Sequence, residues 1–201
     1  MSTLLTHLPS ENLERSLVQA CKKQDRKGQH ATFNRYSGKM MAVCRRYLGN
    51  GPDAEDALME GFMKVFSKVE TFNEAGSFEG WIRRIVVNEC LMKIRKQGDV
   101  FTKNIEEAWD VGEPADALMH LRTAEIEAII AELPPGYRMI FNLYAIEGYS
   151  HREISTLLDI EESTSRSQYT RAKTMLSNIL IKKRIIDAPK EKFELLSVIQ
   201  K

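Results

Sequence analysis

The sequence predicts an all-α protein made of two small helical domains joined by a flexible linker, and three observations lead there. Apolar residues recur at spacings of three and four in several long segments. No segment alternates apolar and polar residues as a half-buried strand does. Between Gly98 and about Thr123 the helical periodicity lapses in GDVFTKNIEEAWDVGEPADALMH, where Gly112, Pro114 and an excess of acid mark a connector. The expected organisation is a first domain over 1–97, a linker over 98–122, a second domain over 123–182 and a tail over 183–201.

Composition narrows the function classes. A chain of 201 residues with 43% hydrophobic side chains can bury one ordinary core or two small ones, and it lacks the bias of a disordered protein. The amino terminus MSTLLTHLPSENLERS has no secretory pattern, and the longest uncharged apolar run, Met139 to Ile146, is too short for a bilayer. Cytoplasmic localisation without membrane insertion is expected. The three cysteines, Cys21, Cys44 and Cys90, form no C-x-x-C pair, and the four histidines show no ligand spacing beside them. Reduced core thiols, no metal and no cofactor are therefore expected.

Net charge is +1, unevenly spread. Residues 1–100 carry 16 Lys/Arg against 12 Asp/Glu, residues 101–123 carry 2 against 5, residues 124–181 carry 5 against 8, and residues 182–201 carry 6 against 3. Phosphate neutralisation supplies much of the affinity for duplex DNA, and no broad basic surface is available for it here. Nucleic-acid binding by this chain must be local or assisted by a partner.

In the first domain, GPDAEDALMEGFMKVFSKVETF opens on a Gly51-Pro52 stop with Asp53 as the expected capping side chain. Leu58, Phe62, Val65, Phe66 and Val69 then recur at helical spacing and predict a core face. Asp53, Glu55, Asp56 and Glu60 crowd the first two turns, where the helix dipole favours each carboxylate by roughly 0.3–1 kcal/mol. A solvated helix start accounts for the first three, and less well for Glu60 and the neighbouring Met59.

The segment GWIRRIVVNECLMKIRK places Ile82, Val86, Val87, Cys90, Leu91 and Ile94 on one apolar arc. Trp81, Arg84, Asn88 and Arg95 fall on the other side at spacings of three, four and seven. An indole to stack bases, an amide to read an edge and guanidiniums for phosphates suit single-stranded nucleic acid. The plainer reading is that Trp81 covers the core and the arginines are solvated. Upstream, TFNEAGSFEG offers a polar loop with Phe72 and Phe78 where extruded bases could lodge.

In the second domain, Leu133-Pro134-Pro135 ends one helix and begins another, which runs through Ile140, Phe141 and Tyr144 to a cap at Gly148. Ser150-His151-Arg152-Glu153 reads as a capping box ahead of Ile154, Leu157 and Leu158. This helix stops around Asp159, Ile160 plugs the turn, and a new helix begins near Glu162: a helix-turn-helix pattern. With Tyr169 inward, Ser165, Ala172 and Leu176 share its side. The opposite side presents Ser163, Thr164, Ser167, Thr170, Arg171 and Thr174, with Arg166 on a flank. Small hydroxyls permit close approach to a major groove, and arginine contacts guanine edges or phosphates.

In this order the motifs resemble the extracytoplasmic-function (ECF) sigma factors of bacterial RNA polymerase, over about residues 15–97 and 122–181. DAEDALMEGFMKVF resembles the family helix that docks on the polymerase β′ clamp helices, which implies clamp-binding roles for Asp53, Asp56, Glu60 and Phe62. SFEGWIRRIVVNECLMKIRK resembles the segment that reads and melts the minus-ten element, implying contacts from Trp81, Arg84, Asn88 and Arg95. LPPGYRMIFNLYAIEGYSHREISTLLDIEESTSRSQYTRAK resembles the minus-thirty-five reader, with Thr164, Arg166, Ser167, Thr170 and Arg171 toward the groove. The resemblance further implies core polymerase, including its β flap, promoter DNA and an anti-sigma protein as partners, and no catalysis by the chain itself. Met59 stands where the family often has glutamine, Ser163 where glycine is usual and Ser165 where valine is common; Ser163 is expected to serve as the helix N-cap instead.

Two other classes compete. A stand-alone helix-turn-helix regulator would use residues 122–181 alone and leave the Trp81 stripe and the acidic helix without a role. A helical adaptor or enzyme is the other; an enzyme would need a Gly-rich phosphate loop, a ligand set or an activated nucleophile, and none is legible. The tail IKKRIIDAPKEKFELLSVIQK carries no readable assignment beyond a basic start.

Overall fold

The computed structural model describes residues 10–96 and 128–183, with side chains from residue 12 onward. The expected linker, and the expected tail beyond Lys183, lie outside the described residues. The fold is all-α, and among the described residues there is no β-strand. The chain divides into two compact units, Met1–Gly98 and Asp99–Lys201.

Among the described residues the first unit packs the α-helices α1 (Ser10–Lys22), α2 (Arg26–Leu48), α3 (Pro52–Lys68) and α4 (Phe78–Lys96), with a 3-10 turn at Val69–Thr71 after α3. Asp25 caps α2, accepting from the Lys27 and Gly28 N–H groups at 3.2 Å each. Gly49, at φ 79°, ends the helix in a conformation that side chains with a Cβ rarely adopt. Two glycines set how closely helices approach. A Cβ on Gly28 would meet the Ala20 Cβ at 2.2 Å, and one on Gly61 would meet the Val86 Cγ2 at 2.9 Å. Around these contacts Cys21, Met40, Val43, Cys44, Phe62, Val65, Ile82, Val86 and Cys90 form a closed core. All three cysteines are buried and free of disulfides, as their spacing predicts.

Glu14 of α1 fixes the start of α4. Its carboxylate accepts from the Phe78 N–H at 2.8 Å and from the Tyr36 hydroxyl at 3.3 Å. Ser77 accepts from the Gly80 N–H at 3.1 Å, satisfying a second amide of that first turn.

The second unit contains α5 (Pro135–Phe141), α6 (His151–Leu158) and α7 (Glu162–Lys182). Pro135 occupies the first turn of α5, where its missing N–H costs nothing. The expected continuation toward Gly148 exists, but Asn142–Ile146 is wound as a π-helix, with the Glu147 N–H reaching Asn142 O at 2.9 Å. Gly148, at φ 77°, turns the chain into α6.

The capping box is complete. Ser150 Oγ accepts from the Glu153 N–H at 3.2 Å, and Glu153 Oε2 accepts from the Ser150 N–H at 2.8 Å. Asp159 ends α6 in the left-handed region at φ 56°, as the stop there requires, and Ile160 is half-buried in the turn.

Candidate nucleic-acid and polymerase interfaces

On α3, Asp56 is exposed while Asp53 and Glu60 are partly so, all on the side away from Leu58, Phe62 and Val65. Lys93 reaches across from α4, its Nζ 3.2 Å from Asp56 Oδ2 and 3.8 Å from Glu60 Oε1. Partial desolvation pulls the Lys93 ammonium down, but the Asp56 hydrogen bond and the charges of Asp56, Glu60 and Asp53 outweigh it and raise its pKa. The acidic face is thus partly neutralised from below, a contact that sequence reading did not anticipate.

Two expectations on α3 need correction. Phe62 is 2% exposed and packs edge-on to Phe33, ring centroids 4.8 Å apart, and against Phe66 at 5.9 Å. It supports the acidic face from the core and offers no surface to a partner. Asp53 does not cap α3; Gly51 holds the cap position without a side-chain bond, and Pro52 fills the first turn.

On α4, Arg84, Asn88 and Arg95 are exposed along one side, opposite a core face of Ile82, Val86, Val87, Cys90, Leu91 and Ile94. Trp81 is half-buried. It stacks on Phe78 with centroids 5.7 Å apart and planes 13° apart, and leans on Phe72 at 5.5 Å. The reading of Phe72 and Phe78 as part of a lodging place for bases is overturned, because both rings are buried and serve to seat the indole.

Glu89 was missed. It lies at about 20° from Ile82 on the helical wheel, on the margin of the apolar arc, and that position was the available signal. Its buried carboxylate accepts from Lys64 Nζ at 2.7 Å and ties α4 to α3 beneath the exposed faces.

On α7, Arg166, Ser167, Thr170 and Arg171 are exposed and Thr164 is half-exposed, whereas Ser165, Tyr169, Ala172 and Leu176 are buried. Arg166 pairs with Glu162 one turn back. Ser167 and Thr170 bond to backbone carbonyls of their own helix at 3.1 Å each, which keeps the hydroxyls close to the surface. Thr174, expected on the open face, is buried and bonds to Thr170 O at 3.2 Å. Ser163 is not the N-cap; Glu161 holds that position in an extended conformation, and Ser163 lies inside the first turn.

His151 positions this face. Its Nδ1 lies 2.9 Å from Ser165 Oγ, and its ring stacks on Tyr144 at 4.2 Å. Burial, then the charge of Arg166, lowers the imidazole pKa, with Glu162 opposing. Burial, helped by Tyr144, pushes the neighbouring Tyr169 phenol up to about 12, so it stays protonated in the core.

Residues 32–100 match the family model of Sigma-70 region 2, and residues 123–176 match that of Sigma-70, region 4. An ECF RNA polymerase sigma factor, SigE of Mycolicibacterium smegmatis, is 31% identical over 153 residues, 73% of this chain and 59% of that protein. This chain belongs to the ECF sigma factors of the sigma-70 family. A second ECF relative, the sigma-E factor of Haemophilus influenzae, is 27% identical over 185 residues, covering 82% of this sigma factor and 94% of its relative. The solved complex of the sigma factor RpoE with the anti-sigma factor NepR from Bartonella quintana aligns at a TM-score of 0.49 and 20% identity, over 76% of this chain and 96% of that one. The α3 and α4 faces of this sigma factor lie within its region 2 match, and α5, α6 and most of α7 within its region 4 match. No helix among the described residues is long and apolar enough to cross a membrane.

Proposed function

We propose that this sigma factor directs core RNA polymerase to specific promoters, with the two units dividing the work. The acidic face of Asp53, Asp56 and Glu60 docks on the β′ clamp helices. Trp81, Arg84, Asn88 and Arg95 engage the minus-ten strand as it is opened; the half-buried indole, held against Phe78 and Phe72, supplies a stacking surface and the exposed groups contact phosphates and base edges. Thr164, Arg166, Ser167, Thr170 and Arg171 read the minus-thirty-five element from the major groove, while the β flap holds the second unit in place. The chain contributes no catalytic group, works in the cytoplasm and is held inactive by an anti-sigma protein.

One observation carries this reading: each unit buries one side of a helix completely and leaves a narrow polar ridge on the other, on α4 and on α7. Neither ridge is broadly basic, so polymerase supplies the missing attraction and raises the effective concentration of both readers at one site. A stand-alone regulator would leave the α3 and α4 faces idle. The test is co-purification with core polymerase followed by run-off transcription from promoter templates. Polymerase-dependent, promoter-specific transcripts are expected; a chain that neither joins core enzyme nor yields transcripts contradicts the proposal.

A further inference from the structure

Four large apolar side chains stand exposed among the described residues: Met59 at 53%, Met63 at 62%, Met92 at 42% and Ile181. Three are methionines, and all three belong to the first unit. Met59 and Met63 are one turn apart on α3, so their side chains are surface neighbours. With Asp56 and Glu60 they fall within about 100° of one another around the helix axis, so acid and thioether share one face. Met92 joins them from α4: Lys64, the residue after Met63, points its Nζ 3.7 Å from Met92 Sδ while bonding Glu89.

This arrangement has a chemical consequence. A thioether is soft and apolar, suited to an adaptable protein contact, and it is also the side chain that peroxides attack when solvent reaches it. Among the other described methionines, Met40 and Met139 are buried, and Met41 and Met175 are only half-exposed. The three cysteines are buried too, so the accessible sulfur in the described residues is concentrated on this face.

We infer that Met59, Met63 and Met92 form an oxidation-sensitive patch within the polymerase-docking face, through which peroxide lowers the affinity of the chain for core polymerase. The inference rests on the docking role proposed above for this side of α3. In each event hydrogen peroxide transfers one oxygen atom to sulfur; the thioether loses two electrons to become a sulfoxide, and the peroxide is reduced to water. The polar sulfoxides resist the desolvation that docking requires, and a methionine sulfoxide reductase reverses the change.

The test uses the full chain, before and after mild hydrogen peroxide treatment, with peptide mass mapping, circular dichroism and equilibrium binding to core polymerase. Expected are one added oxygen each on Met59, Met63 and Met92 ahead of Met40 and Met139, an unchanged helical spectrum, and binding weakened by roughly tenfold. The triple variant M59L/M63L/M92L is compared with itself: whatever affinity it has for core polymerase before treatment should be unchanged after it, and reductase should restore the affinity of the oxidised parent chain to its untreated value. Preferential oxidation of the three sites with unchanged binding overturns the inference, as does oxidation elsewhere first, or an equal loss in the triple variant. Failure of the untreated chain to bind core polymerase would instead contradict the proposed docking function itself.

Discussion

His151 at the start of α6 and Ser165 in the first turns of α7 are joined by a 2.9 Å hydrogen bond, so the two helices of the DNA-reading motif share a buried polar latch. Ser165 immediately precedes the exposed side chains Arg166 and Ser167, and the charge of Arg166 is coupled to the ionisation of the imidazole, adding to burial in lowering its pKa.

That coupling has a defined sign. Burial and Arg166 depress the folded-state pKa of His151, whereas in the unfolded chain the imidazole titrates near about 6.5. The unfolded state therefore binds the proton more readily. The contribution of neutral His151 to stability is complete above about pH 6.5 and is lost as pH falls through the lower folded value. Thermal unfolding of the full chain at pH 7.5 and 5.5 should show a drop on acidification, and His151→Gln should reduce that drop.

Phe62 and Asp56 lie on the same helix and should fail in different ways. Phe62→Ala empties a core site beside Phe33 and should cost about 3–5 kcal/mol of stability. Asp56→Ala removes only an exposed ion pair with Lys93 and should change stability by less than about 1 kcal/mol while weakening core-polymerase binding. Denaturant unfolding and a binding titration on both variants separate the two roles.

Gly28 leaves less room for a side chain than Gly61 does. Gly28→Ala forces a methyl group into the Ala20 Cβ and should destabilise the first unit by about 1–3 kcal/mol. Ala20→Gly in the same chain should recover most of that loss, since it removes the atom that is struck. Chemical denaturation of the single and double variants measures the recovery.

Thr174 and Arg171 test the division of α7. Arg171→Ala should weaken minus-thirty-five recognition by about 1–3 kcal/mol if the guanidinium contacts a base. Thr174→Val, at a buried position, should leave promoter recognition unchanged and act only on stability. Transcription from promoters with intact and scrambled minus-thirty-five elements distinguishes these outcomes.

The elements most legible in the sequence are those fixed by local chemistry. Ser150 and Glu153 sit three apart and satisfy each other's backbone, and Asp159 can adopt a left-handed turn; neither needs distant partners. Single-face readings also held where the core lies on one side, as with Ile82, Val86 and Cys90 opposite Arg84 and Asn88. They failed where packing comes from more than one side. The later half of α7, from Ala172 to Leu180, buries Thr174 and Ser177 as well as the expected stripe. Caps were misplaced at Asp53 and Ser163 because the entry path of the chain, extended at Glu161 and prolyl at Pro52, decides where a helix begins. Phe62 is in the core as its spacing predicts, and burial removes only the clamp-binding role that the resemblance implied for it and the base-lodging role read for Phe72; the Lys64–Glu89 and Lys93–Asp56 ties join helices that no spacing rule relates.

The most direct test of the central claim is equilibrium binding of one promoter fragment by the full chain, alone and with core polymerase, with permanganate reactivity reporting strand opening. The predicted result is weak, salt-sensitive and poorly specific binding alone, and tight, promoter-specific binding with an open minus-ten region once core polymerase is present. Tight specific binding by the lone chain, or no gain in affinity and no opening with core polymerase, would contradict the account.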